Sequence, residues 1–331
     1  MTESVGALFD RGTSVSALFD RAVPVSTIFD RALGAYLGLA IGDALGATVE
    51  FMTPREIAQR FAAQGGVHRH IIGGGWLKLT PGQVTDDTTM SLALGQALLD
   101  GQRVGRPFDT VLIAEAFLAW WRGRPVDCGN TCRRGILRYR HDGSLSGPVN
   151  DADGGNGALM RNLPVALATL GDDAAFERVS IAQAHVTHHH PLSDAAVLGI
   201  GHLLRDVLAG ADEATQARRI EAFVAAQPAF TFRPYPGRAS GYVVDTVQTV
   251  LHCFSTHTDF EAAVIAAVNL GDDADTTGAL VGMLAGARCG AQALPGRWLG
   301  RLSRTVVQDI TDQASALVAL ALDRQSLPLP S

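Results

Sequence analysis

Two short acidic stretches, Thr85-Asp86-Asp87-Thr88-Thr89-Met90 and Asp272-Asp273-Ala274-Asp275-Thr276-Thr277, constrain the fold more than any other part of this sequence. Each stands just before an apolar run with helical spacing: Met90, Leu94, Leu98 and Leu99 after the first, Leu280 to Ala287 after the second. A helix N-terminus offers unpaired N–H groups and a positive dipole end, so Asp86 and Asp87 stay ionised there and Thr85 is a natural cap. Taken singly, either stretch reads as an ordinary acidic cap. Brought together, they would concentrate five carboxylates, and neither contains a basic residue to neutralise them. The nearest lysine to the first is Lys78. A fold that unites them calls for bound divalent cations.

The 331 residues are enough for a substantial core, and 47% hydrophobic against 18% charged residues describes a compact globule. Alanine, leucine and glycine dominate, aromatics are only 6%, and β-branched pairs such as Val243-Val244 and Val306-Val307 lie in helical contexts. The expectation is an all-α, compact single-domain multi-helix fold. A net charge of −6 without a basic stripe argues against nucleic-acid binding. No apolar stretch reaches membrane-spanning length, since Leu33 to Ile41 is stopped by Asp43 and Ala262 to Leu270 by Asp272. The opening residues lack the pattern of a signal peptide, so a cytoplasmic protein without membrane insertion is expected. Cys128, Cys132, Cys253 and Cys289 do not make a disulfide framework and read as structural thiols.

Residues 1–30 read as an extension carrying three ten-residue copies, each ending in Phe-Asp-Arg or its close equivalent at Arg11, Arg21 and Arg31, ahead of a domain spanning 31–325. Pro24 is expected to break any continuous helix through them. From Ala32 to Glu50, Gly34, Gly38, Gly42 and Gly46 recur at every fourth position and line one helix face with glycine, a groove into which another backbone can pack. Asp43 and Glu50 interrupt this apolar segment, each as a satisfied core group or a member of the acidic site. Gly73-Gly74-Gly75-Trp76 suits backbone packed against a surface or a ligand, or a plain turn.

The loop Asn150 to Gly157 opens a helix holding Met160 and Leu163, and its N–H groups could cradle a phosphate or hold a sugar. His188-His189-His190 suggests a metal at first sight, but neighbouring histidines point in different directions. One of them bonding a ligand hydroxyl is the better reading. Tyr235 and Tyr242 flank Arg238 in a loop that could stack a base and contact phosphate. Carboxylate and hydroxyl ligands select hard cations, and two clusters favour a binuclear centre. With an anion-cradling loop and an aromatic loop, the expected ligand is a sugar joined to phosphates and a base.

These residues carry a resemblance. From about Arg31 to Leu302 the chain resembles the ADP-ribosylglycohydrolase family, and within it the nitrogen-fixation subgroup. The matches are Gly42-Asp43-Ala44-Leu45-Gly46-Ala47-Thr48-Val49-Glu50-Phe51, Ile72 to Trp76, Thr85 to Thr88, Arg124-Pro125-Val126-Asp127, Gly155 to Arg161, Thr187 to Pro191 and Asp273 to Gly278. Asp272 stands where the family pattern has glycine.

The resemblance implies an all-helical fold with two divalent cations, Mn2+ or Mg2+. It implies hydrolysis of the bond between ADP-ribose and an arginine of the nitrogenase iron protein. The implied metal ligands are Thr85, Asp86, Asp87, Asp273, Asp275 and Thr276, with Glu50 beside them. Asp127, Glu50 and Asp86 are the candidate catalytic carboxylates, and Asp127 is the one expected to contact the ribose and shuttle a proton. Gly155, Asn156, Gly157, Met160 and His188 would hold ADP-ribose, with Tyr235 or Tyr242 near adenine. The resemblance further implies a monomer controlled by a PII-type signalling protein. Alternative readings are a hydrolase acting on another ADP-ribosylated acceptor, or a silent ADP-ribose-binding member. The latter would be expected to have lost an aspartate from the clusters, and none is missing.

Overall fold

The computed structural model describes residues 23–326. Its helices are α1 (Val25–Gly46), α2 (Pro54–Arg60), α3 (Asp86–Arg103), α4 (Thr110–Arg122), α5 (Asn130–Asp142), α6 (Leu163–Ala168), α7 (Asp173–His185), α8 (Pro191–Leu208), α9 (Glu213–Ala226), α10 (Val243–Thr256), α11 (Phe260–Val268), α12 (Ala274–Cys289), α13 (Gly296–Leu299) and α14 (Arg304–Ser326). There is no strand among the described residues, only the isolated bridges Gly74 with Leu79 and Gly155 with Tyr242. The all-α expectation holds. The first two ten-residue copies lie outside the described residues. The third, from Pro24 to Arg31, begins α1, so the expected boundary after residue 30 falls within a helix. Pro24 sits at the N-cap, where its missing N–H costs nothing.

The centre of the fold is the pair α1 and α12. A Cβ on Gly34 would stand 2.4 Å from the Gly286 carbonyl oxygen. At Gly38 the distance is 2.2 Å to Gly282, at Gly42 1.9 Å to Gly278, and at Gly46 2.1 Å to Ala274. The partners ascend along α1 and descend along α12, so the helices run antiparallel with backbone against backbone. The glycine face is therefore a packing groove, as its spacing implies. Its consequence is positional: the C-terminal end of α1 and the N-terminal end of α12 lie together, and the chain segments beyond them carry Glu50 and Asp273.

A second contact adds α3 to that end. Asp43, in the last turn of α1, accepts the N–H of Thr85 at 3.0 Å and that of Thr88 at 3.2 Å, and also the Thr88 hydroxyl. Thr85 occupies the N-cap position, but its side chain makes no capping bond. The expected cap is thus supplied from another helix, because a carboxylate is the stronger acceptor for two N–H groups at a helix N-terminus. Tyr36 of α1 donates to Gln313 Oε1 at 2.6 Å, and Gln313 Nε2 donates to the Leu92 carbonyl at 2.9 Å, which ties α14 to both. No helix among the described residues is long and apolar enough to cross a membrane.

The close approach makes a direct test available. Gly42→Ala places a methyl against backbone on α12 that no side-chain rotation can relieve, and it is expected to cost about 3 kcal/mol. Gly296→Ala, at a position with nothing within 4 Å, is expected to stay within about 0.5 kcal/mol of the wild type. Urea denaturation of the two variants measures the difference.

Candidate active site

The ends of α1, α3 and α12 surround a cavity of about 420 Å³, within the size range of small-molecule sites. Glu50, Asp86, Asp273, Asp275 and Thr276 line it, together with Asp127 and Cys128 from the segment between α4 and α5. Residues distant in sequence meet here: Thr276 Oγ1 donates to Asp87 Oδ2 at 3.3 Å across a separation of 189 residues, and Thr85 Oγ1 reaches the same oxygen at 3.3 Å. Glu50, Asp273 and Asp275 each bring one carboxylate oxygen to within 4.8 Å of the others. Asp86 Oδ2 accepts the Gly129 N–H at 3.3 Å. Of the six residues expected as metal ligands, Asp86, Asp273, Asp275 and Thr276 line the cavity with Glu50, while Thr85 and Asp87 lie behind it, joined to it by the Thr276 bond to Asp87.

The electrostatics of this cluster are those of an unneutralised acid site. None of the ion pairs among the described residues involves Glu50, Asp86, Asp87, Asp273 or Asp275. Burial pushes Glu50 up to about 8, opposed by the Trp76 hydrogen bond and reinforced by Asp273, Asp127 and Asp86. Burial, with Asp127 next, raises Asp86 to about 7, so the helix end does not by itself keep this acid ionised as its sequence position suggests. Asp87 and Asp275 stand well above the ordinary carboxylate range for the same reason, and Asp273 rises to about 6. Asp87 Oδ1 is buried and has no hydrogen-bond partner. An orphaned carboxylate oxygen among crowded acids and threonine hydroxyls is the environment a hard divalent cation satisfies. The residues present fit such an ion.

Gly155, Asn156, Gly157, Met160 and His188 also line the cavity. The loop is held against the start of α10: Asn156 N–H donates to the Gly241 carbonyl at 3.1 Å, and Val243 N–H to that of Gly154 at 2.9 Å. Asn156 Nδ2 donates to Thr246 Oγ1 at 2.9 Å and also to Asp273 Oδ2, joining the loop to the acid cluster. A Cβ on Gly157 would lie 2.9 Å from the His188 ring, so glycine makes room for that histidine. His188 is buried, and burial holds its imidazole neutral, well below its ordinary value. Its Nδ1 pairs with Thr187 Oγ1 at 2.8 Å, which also accepts from the buried Arg161 at 2.8 Å. His189 stacks on His185, and His190 caps α8 through the Leu192 N–H, so the triple histidine does not converge on one centre.

The two tyrosines separate. Tyr242 pairs with Gly155 and is 46% exposed; its neighbour Gly241 lines the cavity, but its own ring does not. Tyr235, expected as its alternative near adenine, stands apart: its ring stacks on His252 at 4.3 Å and its hydroxyl bonds Thr249 Oγ1 at 2.8 Å. It does not line the cavity, because the loop turns its ring onto α10. Asp127 lines the cavity with one oxygen held by the Cys128 N–H at 2.8 Å, and burial raises its carboxyl. Sequence reasoning did not isolate the capping role of Asp43, and it did not pair Phe51 with Trp76. The signal for the first was an aspartate on the glycine-lined helix. The second leaves no mark in sequence, since the rings are 25 residues apart and meet only through the fold.

These features define an all-helical protein with an acid-lined catalytic-type cavity faced by a glycine loop. The chain belongs to the ADP-ribosylglycohydrolase family, whose model matches residues 24–326. It is 51% identical, over 87% of its length and 96% of the relative's, to the ADP-ribosyl-(dinitrogen reductase) glycohydrolase of Rhodospirillum rubrum. It is 32% identical to the ADP-ribosylarginine hydrolase Tri1 of Serratia proteamaculans, over 81% of this chain and 74% of that one. A solved structure described as an ADP-ribosylglycohydrolase-related protein complex aligns with TM-score 0.77 and 35% identity, covering 89% of this chain and 99% of the other. The family is metal-dependent in general.

Metal binding and protonation compete at this site. Each site carboxyl is raised above its unfolded value, so between about pH 4 and 8 the metal-free native state binds more protons than the unfolded chain, and its stability increases as pH falls. A divalent cation needs the ionised forms. Added Mn2+ is therefore expected to raise Tm more at pH 8 than at pH 6, and Asp87→Asn to abolish most of that gain, read by differential scanning fluorimetry.

Proposed function

We propose that this protein is an N-glycosidase that removes ADP-ribose from an arginine side chain of the nitrogenase iron protein and so restores it. One observation carries the reading: two acidic clusters 189 residues apart converge with Glu50 on a single cavity that a glycine loop also lines. The 51% identity to a dinitrogen reductase glycohydrolase supports the acceptor. In this reading Thr85, Asp86, Asp87, Asp273, Asp275 and Thr276 hold two divalent cations, Mn2+ or Mg2+. When bound, these ions supply positive charge that orients the vicinal ribose hydroxyls and makes water a better nucleophile at neutral pH.

The protein's own groups do the rest. The glycine loop, Met160 and neutral His188 hold the ADP-ribose, His188 acting through hydrogen bonding rather than charge. Tyr242 is left as the adenine contact, since Tyr235 is committed to Thr249 and His252. Asn156 fixes Asp273 and the loop relative to each other. Water attacks the anomeric carbon as the bond from that carbon to the guanidine nitrogen breaks. Asp127 accepts the water's proton and returns it to the departing nitrogen, leaving free ADP-ribose and unmodified arginine. Its raised carboxyl suits both halves of that exchange.

Asp127→Ala is expected to lower turnover by about 1000-fold while leaving Mn2+ affinity within twofold. Normal kinetics in that variant would overturn the assignment. Release of ADP-ribose from modified iron protein, followed with added Mn2+ and after chelation, tests the activity. Release that persists once all metal is removed would exclude the binuclear reading.

A further inference from the structure

The mouth of the cavity carries an aromatic pair that the reaction described above does not use. Phe51 is 61% exposed and Trp76 is 53% exposed, and both line the cavity on the side of Glu50. Their ring centroids are 5.3 Å apart, tilted by 55°. Large apolar rings standing open at a polar cavity mark a surface that something covers.

Phe51 is presented at a conformational cost, and Trp76 by a loop whose backbone needs glycine. Phe51 has φ 61°, a left-handed conformation that is a genuine outlier for a bulky residue. It is pinned there by two backbone bonds: Phe51 N–H to the Asp272 carbonyl at 2.7 Å, and Asp272 N–H to the Met52 carbonyl at 2.8 Å. Asp272 itself has φ 54°. Trp76 follows three glycines with φ of 68°, 82° and 68°, in a loop closed by the bridge from Gly74 to Leu79. A Cβ on Gly75 would stand 2.2 Å from the Ala47 carbonyl oxygen, so the loop is pressed onto the end of α1. The indole N–H then donates to Glu50 Oε2 at 2.6 Å, which sets the ring plane relative to the acid cluster. A strained phenylalanine and a glycine loop folded at positive φ, which together hold one ring pair at a cavity mouth, point to function.

We infer that Phe51 and Trp76 form the platform that receives the acceptor, holding the guanidino group of the arginine against their ring faces while the acids work on the ribose. This rests on the hydrolase reading above. A planar cation is the ligand that two aromatic faces beside a row of carboxylates recognise best. The ADP-ribose half is accounted for by the glycine-loop wall, so the aromatic side is where the other half of the scissile bond projects. The pair thereby selects arginine-linked over neutral-linked ADP-ribose, and it determines specificity without touching the reacting carbon.

Phe51→Gly is the informative variant, because glycine adopts φ 61° freely and the ring is removed without a backbone penalty. With ADP-ribosylarginine as substrate, its KM is expected to rise about tenfold with kcat within twofold, the pattern of lost uniform binding. Trp76→Phe, which keeps a ring, is expected to raise KM no more than about threefold, and Trp76→Ala about tenfold. Competitive inhibition by free ADP-ribose is expected to stay within twofold of wild type in all three, and the Tm of Phe51→Gly at or above wild type. A weakened ADP-ribose Ki that parallels KM would overturn the inference by assigning the rings to the nucleotide half, and an unchanged KM in Phe51→Gly would overturn it outright. A wild-type protein that does not cleave ADP-ribosylarginine would overturn the hydrolase reading and the platform together. Cleavage by wild type with an indifferent Phe51→Gly would sink only the platform.

Discussion

Everything at the site depends on α1 and α12 lying backbone to backbone. Where Gly42 faces Gly278, there is no room for even a methyl group. That contact fixes both the distance and the register of the two helices, since each glycine of one meets a carbonyl of the other at intervals of four residues. The helices are antiparallel, so the end of one and the start of the other coincide. Glu50 and Asp273 are placed by that coincidence, one just beyond the first helix and the other just before the second.

The third acid-bearing helix packs Met90, Leu94 and Leu98 into the core, and charge fixes its N-terminus. Asp43 projects from the last turn of α1 and takes the N–H groups of Thr85 and Thr88 that α3 leaves unpaired. Burial raises the Asp43 carboxyl to about 6, and its hydrogen bonds to Thr88 and Thr85 oppose that rise. The first acidic cluster is thereby held at the same end of the fold as the second. Crowding so many carboxylates costs stability in the absence of a counter-charge, a physical reason for a divalent cation to bind there. The glycine loop joins the assembly through Asn156, and the aromatic pair joins it through the Trp76 bond to Glu50. Glycine loop, acid cluster and aromatic pair are thus linked through named hydrogen bonds.

Much of this was legible in the residues. The duplicated acidic stretches before apolar runs and the glycine repeat each point to the helix that the fold displays, whereas Met160, expected inside the helix after the loop around Gly155, sits in a turn before α6 (Leu163–Ala168). Other parts were legible only in type. Asp43 read as either a core group or a site acid, because the sequence does not say which N–H groups it meets. Tyr235 and Tyr242 are seven residues apart in one loop and read alike. Their fates differ because one ring turns onto His252 and the other lies over the glycine loop. The Phe51 conformation was not legible, since nothing local favours a left-handed phenylalanine; two tertiary hydrogen bonds impose it.

The sequence by itself determined the helices, the close-packing face of α1 and the identity of the acids, because periodicity, small-residue spacing and carboxylate clustering are local properties of a chain. Only the tertiary structure decided which carboxylate caps a helix and which faces the cavity, which histidine of three is turned inward, and which aromatic rings share the cavity mouth. Those outcomes depend on contacts between residues tens to hundreds of positions apart, and no local pattern encodes them. The Thr276 to Asp87 bond, across 189 residues, is the clearest instance. The two acidic stretches require each other chemically, and the glycine contact between α1 and α12 is what brings them within reach.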